Sequence, residues 1–314
     1  MTTRIVLIGY NRRGAMRRTI RSLASAISSA RLHPGCDIDA SVHAALDGPK
    51  IMEDGSSEAV RIHEVAAEVR RGLPDAAISI QVTNRGLPSV ILEGLDTAFS
   101  APEVDRAICV EDDVELAPTA LAALLHASAR LVRPHVISAA PLRDGIPPNQ
   151  CMLVTREAHA ASRALLVDYI ARFRLDGSYG SRDHRAILDW LAERAARHGL
   201  AAPTTTSQDA VRAFAWSVEG IAIHALPMRL VAHRGLRGQH NTPLHAIRTG
   251  GAFERLDRSP WNLLQPRLDA WISRGGGTDE GQLGASERIL GRSEEHTSEL
   301  QSHLNLVCRL LLEK

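Results

Sequence analysis

A chain of 314 residues with 44% hydrophobic residues has the apolar material for one large domain or two small ones, and its formal net charge of +1 argues against a global field for nucleic acid. No apolar run is long enough to span a bilayer, and Met1 opens no signal-peptide pattern. Cys36, Cys109 and Cys151 are scattered, which excludes a disulfide framework or a cysteine metal cluster and fits a reduced, cytoplasmic chain; the near absence of Lys beside many Arg and Ala suggests a GC-rich bacterial source.

Arg4 to Tyr10 reads as a short buried strand. Asn11-Arg12-Arg13-Gly14 follows, then a helical pattern with Met16, Ile20, Leu23 and Ile27 on one face. Ser41 to Leu46 is a second strand, ending in Asp47-Gly48-Pro49, and a helix follows over residues 57–71. Ile78 to Val82 is a third strand, ending in Asn84-Arg85-Gly86-Leu87-Pro88 before a helix that closes near Phe99. Strands alternating with helices predict an α/β fold with a Rossmann-like, mostly parallel sheet flanked by helices. In such a sheet the strand ends share one edge, so Asn11, Arg12, Asp47, Asn84 and Arg85 are expected together.

The next strand carries the most information. Ala107 to Val110 is apolar and ends in three consecutive carboxylates, Glu111, Asp112 and Asp113. That places the acids where open α/β sheets bind ligands. Carboxylates so close repel one another and need a cation; hard oxygen ligands suit Mg²⁺ or Mn²⁺ shared with a diphosphate. A solvated acidic turn is the plainer reading of the same residues.

Asn11-Arg12 before the helix with Arg18-Thr-Ile-Arg-Ser-Leu23, then Leu46-Asp47-Gly48, Thr83-Asn-Arg-Gly-Leu87 and Val110-Glu-Asp-Asp-Val-Glu-Leu-Ala-Pro118 together resemble a GT-A glycosyltransferase. The resemblance is to inverting enzymes related to N-acetylglucosaminyltransferase I and their bacterial family-2-like relatives. It covers roughly the first 135 residues. It implies that Asp47 reads the nucleotide base, and that Asp113, with Asp112 beside it, stands in the place of the DXD-type motif and binds Mn²⁺ or Mg²⁺ on the sugar nucleotide. Asn11, Arg12, Asn84 and Arg85 would line the donor site.

The second half is expected to form a smaller, mixed acceptor-binding part. Strands are expected over 135–141, 150–155, 221–223 and 229–232, with helices near 164–173, 183–198 and 209–219. By the same resemblance Asp209 matches the catalytic base, and Pro227, Leu230-Val231 and Gly235-Leu-Arg-Gly238-Gln-His240 match a downstream segment. There His240 reads as a metal or phosphate contact or as a surface-loop histidine, and Arg234 and Arg237 as diphosphate contacts or as ordinary solvated charges. Gln208 and Ala210 replace the family's aromatic neighbours, and Asp209 as a plain helix N-cap competes with the base reading. His224 reads as a core or rim histidine. Arg17 and Arg21 share a face of the first helix and read as solvated charges that could meet an anionic lipid surface if the acceptor is lipid-linked.

The expected organisation is a nucleotide-sugar-binding half at 1–135, an acceptor-binding and catalytic half at 136–274, and a Gly-rich linker at 275–291. Residues 292–314, from Arg292-Ser-Glu-Glu-His onward, resemble an in-frame translation of a sequencing adapter and are left out of fold and function. The function implied is metal-dependent, inverting transfer from a nucleoside-diphosphate sugar, a UDP-sugar above others, to a saccharide or lipid-linked hydroxyl acceptor. A nucleotidyltransferase would share the acids and the sheet, but the Gly-rich phosphate loop expected of it is missing: Gly9 and Gly14 are isolated. A non-catalytic nucleotide- or sugar-binding module would bind nucleotide without turnover. No Gly-x-Gly-x-x-Gly follows the first strand, which disfavours a dinucleotide oxidoreductase.

Overall fold

The computed structural model describes residues 2–33, 41–51, 57–142, 145–148, 150–173, 175, 182–234 and 255–277. Those residues belong to the unit Met1–Gly276, apart from Gly277, the one described residue of the second unit. The tail at 292–314 and most of the expected linker lie outside the described residues.

The fold is the expected α/β class. Strands β1 (Thr2–Gly9), β2 (Val42–Leu46), β3 (Ala77–Ile80) and β4 (Val104–Glu111) run parallel. They join β6 (His135–Ser138), β7 (Cys151–Thr155) and β8 (Ala222–Ala225) in one seven-stranded sheet of order β3-β2-β1-β4-β7-β6-β8. Only β7 runs against its neighbours. The sheet therefore crosses residue 135, where the two expected halves meet. Ile5, Val6, Leu7 and Ile8 are all buried, which is why β1 reads as a continuous apolar run: helices cover both faces.

One face carries α1 (Arg13–Ala30), α2 (Ala59–Gly72), α4 (Ala120–Ser128) and α8 (Trp261–Ser273), packed over Ile5, Leu7, Ile108 and Val110. All nine residues of α4 are buried, in keeping with the all-apolar run Ala120 to Leu125 that opens it. The other face carries α3 (Leu87–Phe99), with α5 (Arg156–Arg172) and α7 (Gln208–Val218) contributing Ala158, Ala213 and Trp216 over Val6, Ile8 and Cys109. Helix α6 (His184–His198) packs on α5 and α7 through Ile187, Trp190 and Leu191. A separate pair of short strands, β5 (Val114–Leu116) and β9 (Val231–His233), leaves the sheet beyond the acidic turn. Among the described residues no helix is long and apolar enough to cross a membrane.

His135 shows how the core sets a pH limit. It is fully buried; its Nδ1 meets the Val132 carbonyl at 3.0 Å, which makes that nitrogen the donor, and its Nε2 meets Ser128 Oγ at 2.9 Å. Burial pushes its pKa from 6.5 down to about 4, because a charged imidazolium would have to sit without water. The unfolded chain gains a proton below pH 6.5 that the folded chain refuses until pH 4, so this stabilisation is complete above 6.5 and is lost as pH falls towards 4. His135→Gln, which cannot titrate, is expected to be less stable than the parent at pH 7, with a gap that narrows by about 3 kcal/mol on going to pH 4 in urea unfolding. A gap that stays constant with pH would contradict the assignment.

Candidate active site at the carboxyl edge of the sheet

Parallel pairing fixes which residues meet. Ile8 is level with Glu111 and Gly9 with Leu46, so residues 10–12, 47 and 111–113 leave the sheet side by side. Asp112 and Asp113 are nearly closed to solvent, at 2% and 4% exposure. The sequence calls for a cation here, and the structure supplies one from the chain itself. The Arg12 guanidinium spans the pair, with Nη2 on Asp112 Oδ1 and Nη1 on Asp113 Oδ2. The Tyr10 amide donates to Asp112 Oδ2 at 3.2 Å. Arg12, expected to face the donor, is thus a counter-ion of the acidic turn in this state.

His233 completes the cluster. β5 and β9 pair antiparallel with Val114 opposite His233, and the Arg234 amide donates to the Asp113 carbonyl at 2.7 Å. This brings His233 Nε2 to 3.0 Å from Asp113 Oδ2. Burial alone would raise the Asp113 pKa, but the hydrogen bond from His233 and the charge of Arg12 hold it below the usual value. Asp112 is raised, burial outweighing Arg12. Glu111 is raised well above the usual value by burial, then by repulsion from Asp113 and Asp209. The three adjacent acids are therefore chemically distinct: Asp113 is the ready anion and Glu111 favours its proton.

Asp209 of α7 is near enough to Glu111 for its negative charge to contribute to the raised Glu111 pKa. Asp209 is in the first turn of α7, and the N-cap is Ser207, whose Oγ accepts from the Ala210 amide at 3.2 Å. The capping role that competed for Asp209 belongs to Ser207.

Asp47 differs from expectation. A base reader would present its carboxylate to a ligand; the structure leaves Asp47 5% exposed and surrounds it with donors from the chain. Oδ1 accepts from the Gly48 amide at 2.8 Å and the Arg85 amide at 2.9 Å. Oδ2 accepts from Asn84 Nδ2 at 2.8 Å and the Gly86 amide at 3.0 Å. The carboxylate pins the end of β2 to the loop that starts α3. Gly48 makes the close approach possible, since a Cβ there would fall 2.3 Å from the Thr83 carbonyl. Gly86, at φ 82°, takes the left-handed turn into α3.

The other expected donor residues are at the same edge with partners of their own. Asn11 Nδ2 donates to Glu58 Oε1 at 2.6 Å, and Tyr10 Oη donates to Glu58 Oε2. Asn84 is half-buried, and its Oδ1 is buried without a hydrogen-bond partner. Arg85 keeps its side chain exposed. Arg234 Nε binds Glu115 Oε2 at 2.9 Å, and Arg258 binds the other oxygen of Glu115. Arg237 and His240 lie outside the described residues. His224 is a core histidine, with Nδ1 2.8 Å from the Gly276 carbonyl. His233 was overlooked by the sequence reading; its signal is that it is the first polar residue after the apolar run Leu230-Val231-Ala232.

No family model matches the chain, and no curated protein matches it. Solved structures give distant likenesses. Mouse xyloside xylosyltransferase 1 in its apo form is 11% identical, over 72% of this chain and 85% of that one, with a TM-score of 0.36. The galactosyltransferase LgtC in complex with donor and acceptor sugar analogues is 13% identical, over 78% and 82%, with a TM-score of 0.34. S. aureus TarS is 15% identical with a TM-score of 0.30, over 46% of this chain and 24% of that one, so the chain spans about a quarter of TarS.

Four donors around one carboxylate leave an amide no place. In either orientation Asp47→Asn would set an NH₂ group against two N–H donors. We expect a loss of about 1–3 kcal/mol in urea unfolding, the cost of a buried group left unpaired. A variant as stable as the parent would show that the carboxylate does not hold the loop.

Proposed function

We propose that the chain is an inverting glycosyltransferase of the GT-A type, transferring a sugar from a UDP-sugar to a hydroxyl acceptor with the help of a divalent cation. The observation that carries this reading is the cluster at one sheet edge of Glu111 at the end of β4, Asp112 and Asp113 in the turn after it, Arg12 across both and His233 of β9 on Asp113, with Asp209 of α7 near enough to raise the Glu111 pKa. The ordered motifs of the first 135 residues support the same reading.

The donor set fits a divalent metal. Asp113 Oδ1 is buried without a hydrogen-bond partner, and Oδ2 lies 3.0 Å from His233 Nε2. A hard oxygen beside an imidazole suits Mn²⁺. Among the described residues no group of three His, Cys, Asp or Glu side chains could hold the ion, so Asp113 and His233 would share it with water and the diphosphate. When bound, the ion neutralises negative charge developing on the leaving diphosphate.

The chain's own groups do the rest. Arg12 is near enough to leave Asp112 and Asp113 for diphosphate oxygens, exchanging one pair of anions for another. The loop held by Asp47, with the buried acceptor Asn84 Oδ1 and the exposed Arg85, borders the nucleotide. Arg234, whose amide reaches the Asp113 carbonyl, would turn its side chain from Glu115 to the diphosphate, and Asn11 and Asp112 would line the donor pocket. Asp209 takes the proton from the acceptor hydroxyl as that oxygen attacks the anomeric carbon and the sugar–phosphate bond breaks on the opposite face. One displacement with one base inverts the centre. The acceptor is a saccharide or lipid-linked hydroxyl.

A screen of nucleotide sugars for turnover with Mn²⁺ identifies the donor, and Asp209→Asn then tests the mechanism. Ser207 caps α7, so the substitution leaves the helix start intact. Turnover is expected to fall by about 10²–10⁴-fold while sugar-nucleotide affinity stays near the parent's. An active Asp209→Asn protein removes Asp209 as the base, and nucleotide binding with no turnover of any donor by the parent marks the chain as a binding module.

A further inference from the structure

We infer that the outer faces of α1 and α2 form a docking surface for an anionic lipid bilayer. These two helices carry seven arginines, Arg13, Arg17, Arg18, Arg21, Arg61, Arg70 and Arg71, against two glutamates, Glu64 and Glu68. That is a formal +5 in a chain whose total is +1, so the remaining residues sum to −4. The near-neutral composition conceals a strong segregation of charge.

The helices lie together. Arg13 and Arg17 of α1 and Arg71 of α2 all reach the buried carboxylate of Glu68, at 2.8, 2.6 and 2.7 Å. Glu68 neutralises a fraction of that charge and fixes three guanidinium groups in one cluster, while Arg18, Arg21, Arg61 and Arg70 are exposed on the same two helices. An exposed apolar side chain is on the same surface: Val60, next to Arg61 in α2, is 71% exposed. Basic groups beside an exposed aliphatic side chain suit a headgroup layer, where charge meets anionic lipid and a short apolar group enters the acyl boundary. Neither helix presents Phe, Tyr or Trp for base stacking, which makes single-stranded nucleic acid a poorer fit.

The patch also adjoins the proposed site. Helix α1 begins one residue after Arg12, and Glu58, which binds Tyr10 and Asn11, directly precedes α2. A chain docked through this face would hold its catalytic edge near the headgroups, which selects a lipid-linked acceptor. That last step rests on the glycosyltransferase reading; the docking does not.

Co-sedimentation with mixed phosphatidylglycerol–phosphatidylcholine vesicles tests the surface against pure phosphatidylcholine, with UDP affinity measured alongside. We expect binding to the anionic vesicles alone, lost when ionic strength is raised from about 0.1 M to about 1 M and the Debye length shrinks from about 10 Å to about 3 Å. Arg18→Glu/Arg21→Glu/Arg70→Glu is expected to weaken vesicle binding by about tenfold or more with UDP affinity unchanged. The more conservative triple Gln variant should fall between it and the parent. Equal binding to both vesicle types, a charge-reversed variant that binds like the parent, or single-stranded RNA bound more tightly than the vesicles would overturn the inference. Vesicle binding without UDP binding would instead count against the donor reading alone.

Discussion

Two carboxylates, Asp112 and Asp113, are buried side by side at the end of the central strand. Unit charges about 4 Å apart repel by about 4 kcal/mol at an effective dielectric of about 20, and burial adds to that cost. The turn is tolerable because Arg12 spans both groups and His233 meets the second. Those partners come from distant parts of the chain: Arg12 follows β1, and His233 ends β9. The ion-pair cluster therefore fastens the first strand, the acidic strand and the β5–β9 pair at one point. It also leaves the acids unlike one another, with Asp113 anionic and Glu111 inclined to protonate.

A second tie works beside it. Asp47 gathers the start of α3 onto the end of β2, so the loop that borders the edge is held by a side chain rather than by sheet pairing. Together the two clusters make this edge a polar rim over an apolar sheet whose core positions admit almost no water. Under the function proposed above, Arg12 would exchange the two carboxylates it holds now for the diphosphate of a donor, so that the cluster is stable without ligand and open to one.

The alternating strands and helices of the first half were legible because burial on two faces imposes long apolar runs in β1 and β4 and a 3.6-residue period in α1 and α2. The acidic strand end was legible as three carboxylates that need a cation; that Arg12 and His233 of the same chain meet them was not. A strand over 229–232 anticipates most of β9, but β5 and its pairing with β9 were not legible, since a strand of three residues carries no period, and His233, one residue past the expected strand, went with them. The sequence marks Asp47 as a strand-end acid; it does not reveal that four donors from residues 48 and 84–86 converge on it. Ser207 and Asp209 are two residues apart and both can cap, and only backbone geometry separates them. Helix α8 was missed because Pro266 interrupts its pattern. It is held by its packing on α4, where Leu264, Leu268 and Trp271 are buried.

The central claim is that the acidic turn is a site for a cation and a diphosphate, with Arg12 as the resident counter-ion. Isothermal titration of UDP with and without Mn²⁺, on the parent and on Asp113→Asn, tests it most directly. The account predicts that Mn²⁺ tightens UDP binding to the parent by about tenfold or more, which is about 1.4 kcal/mol, and that Asp113→Asn abolishes this gain while remaining folded. UDP binding that ignores Mn²⁺ and is unchanged in Asp113→Asn would contradict it.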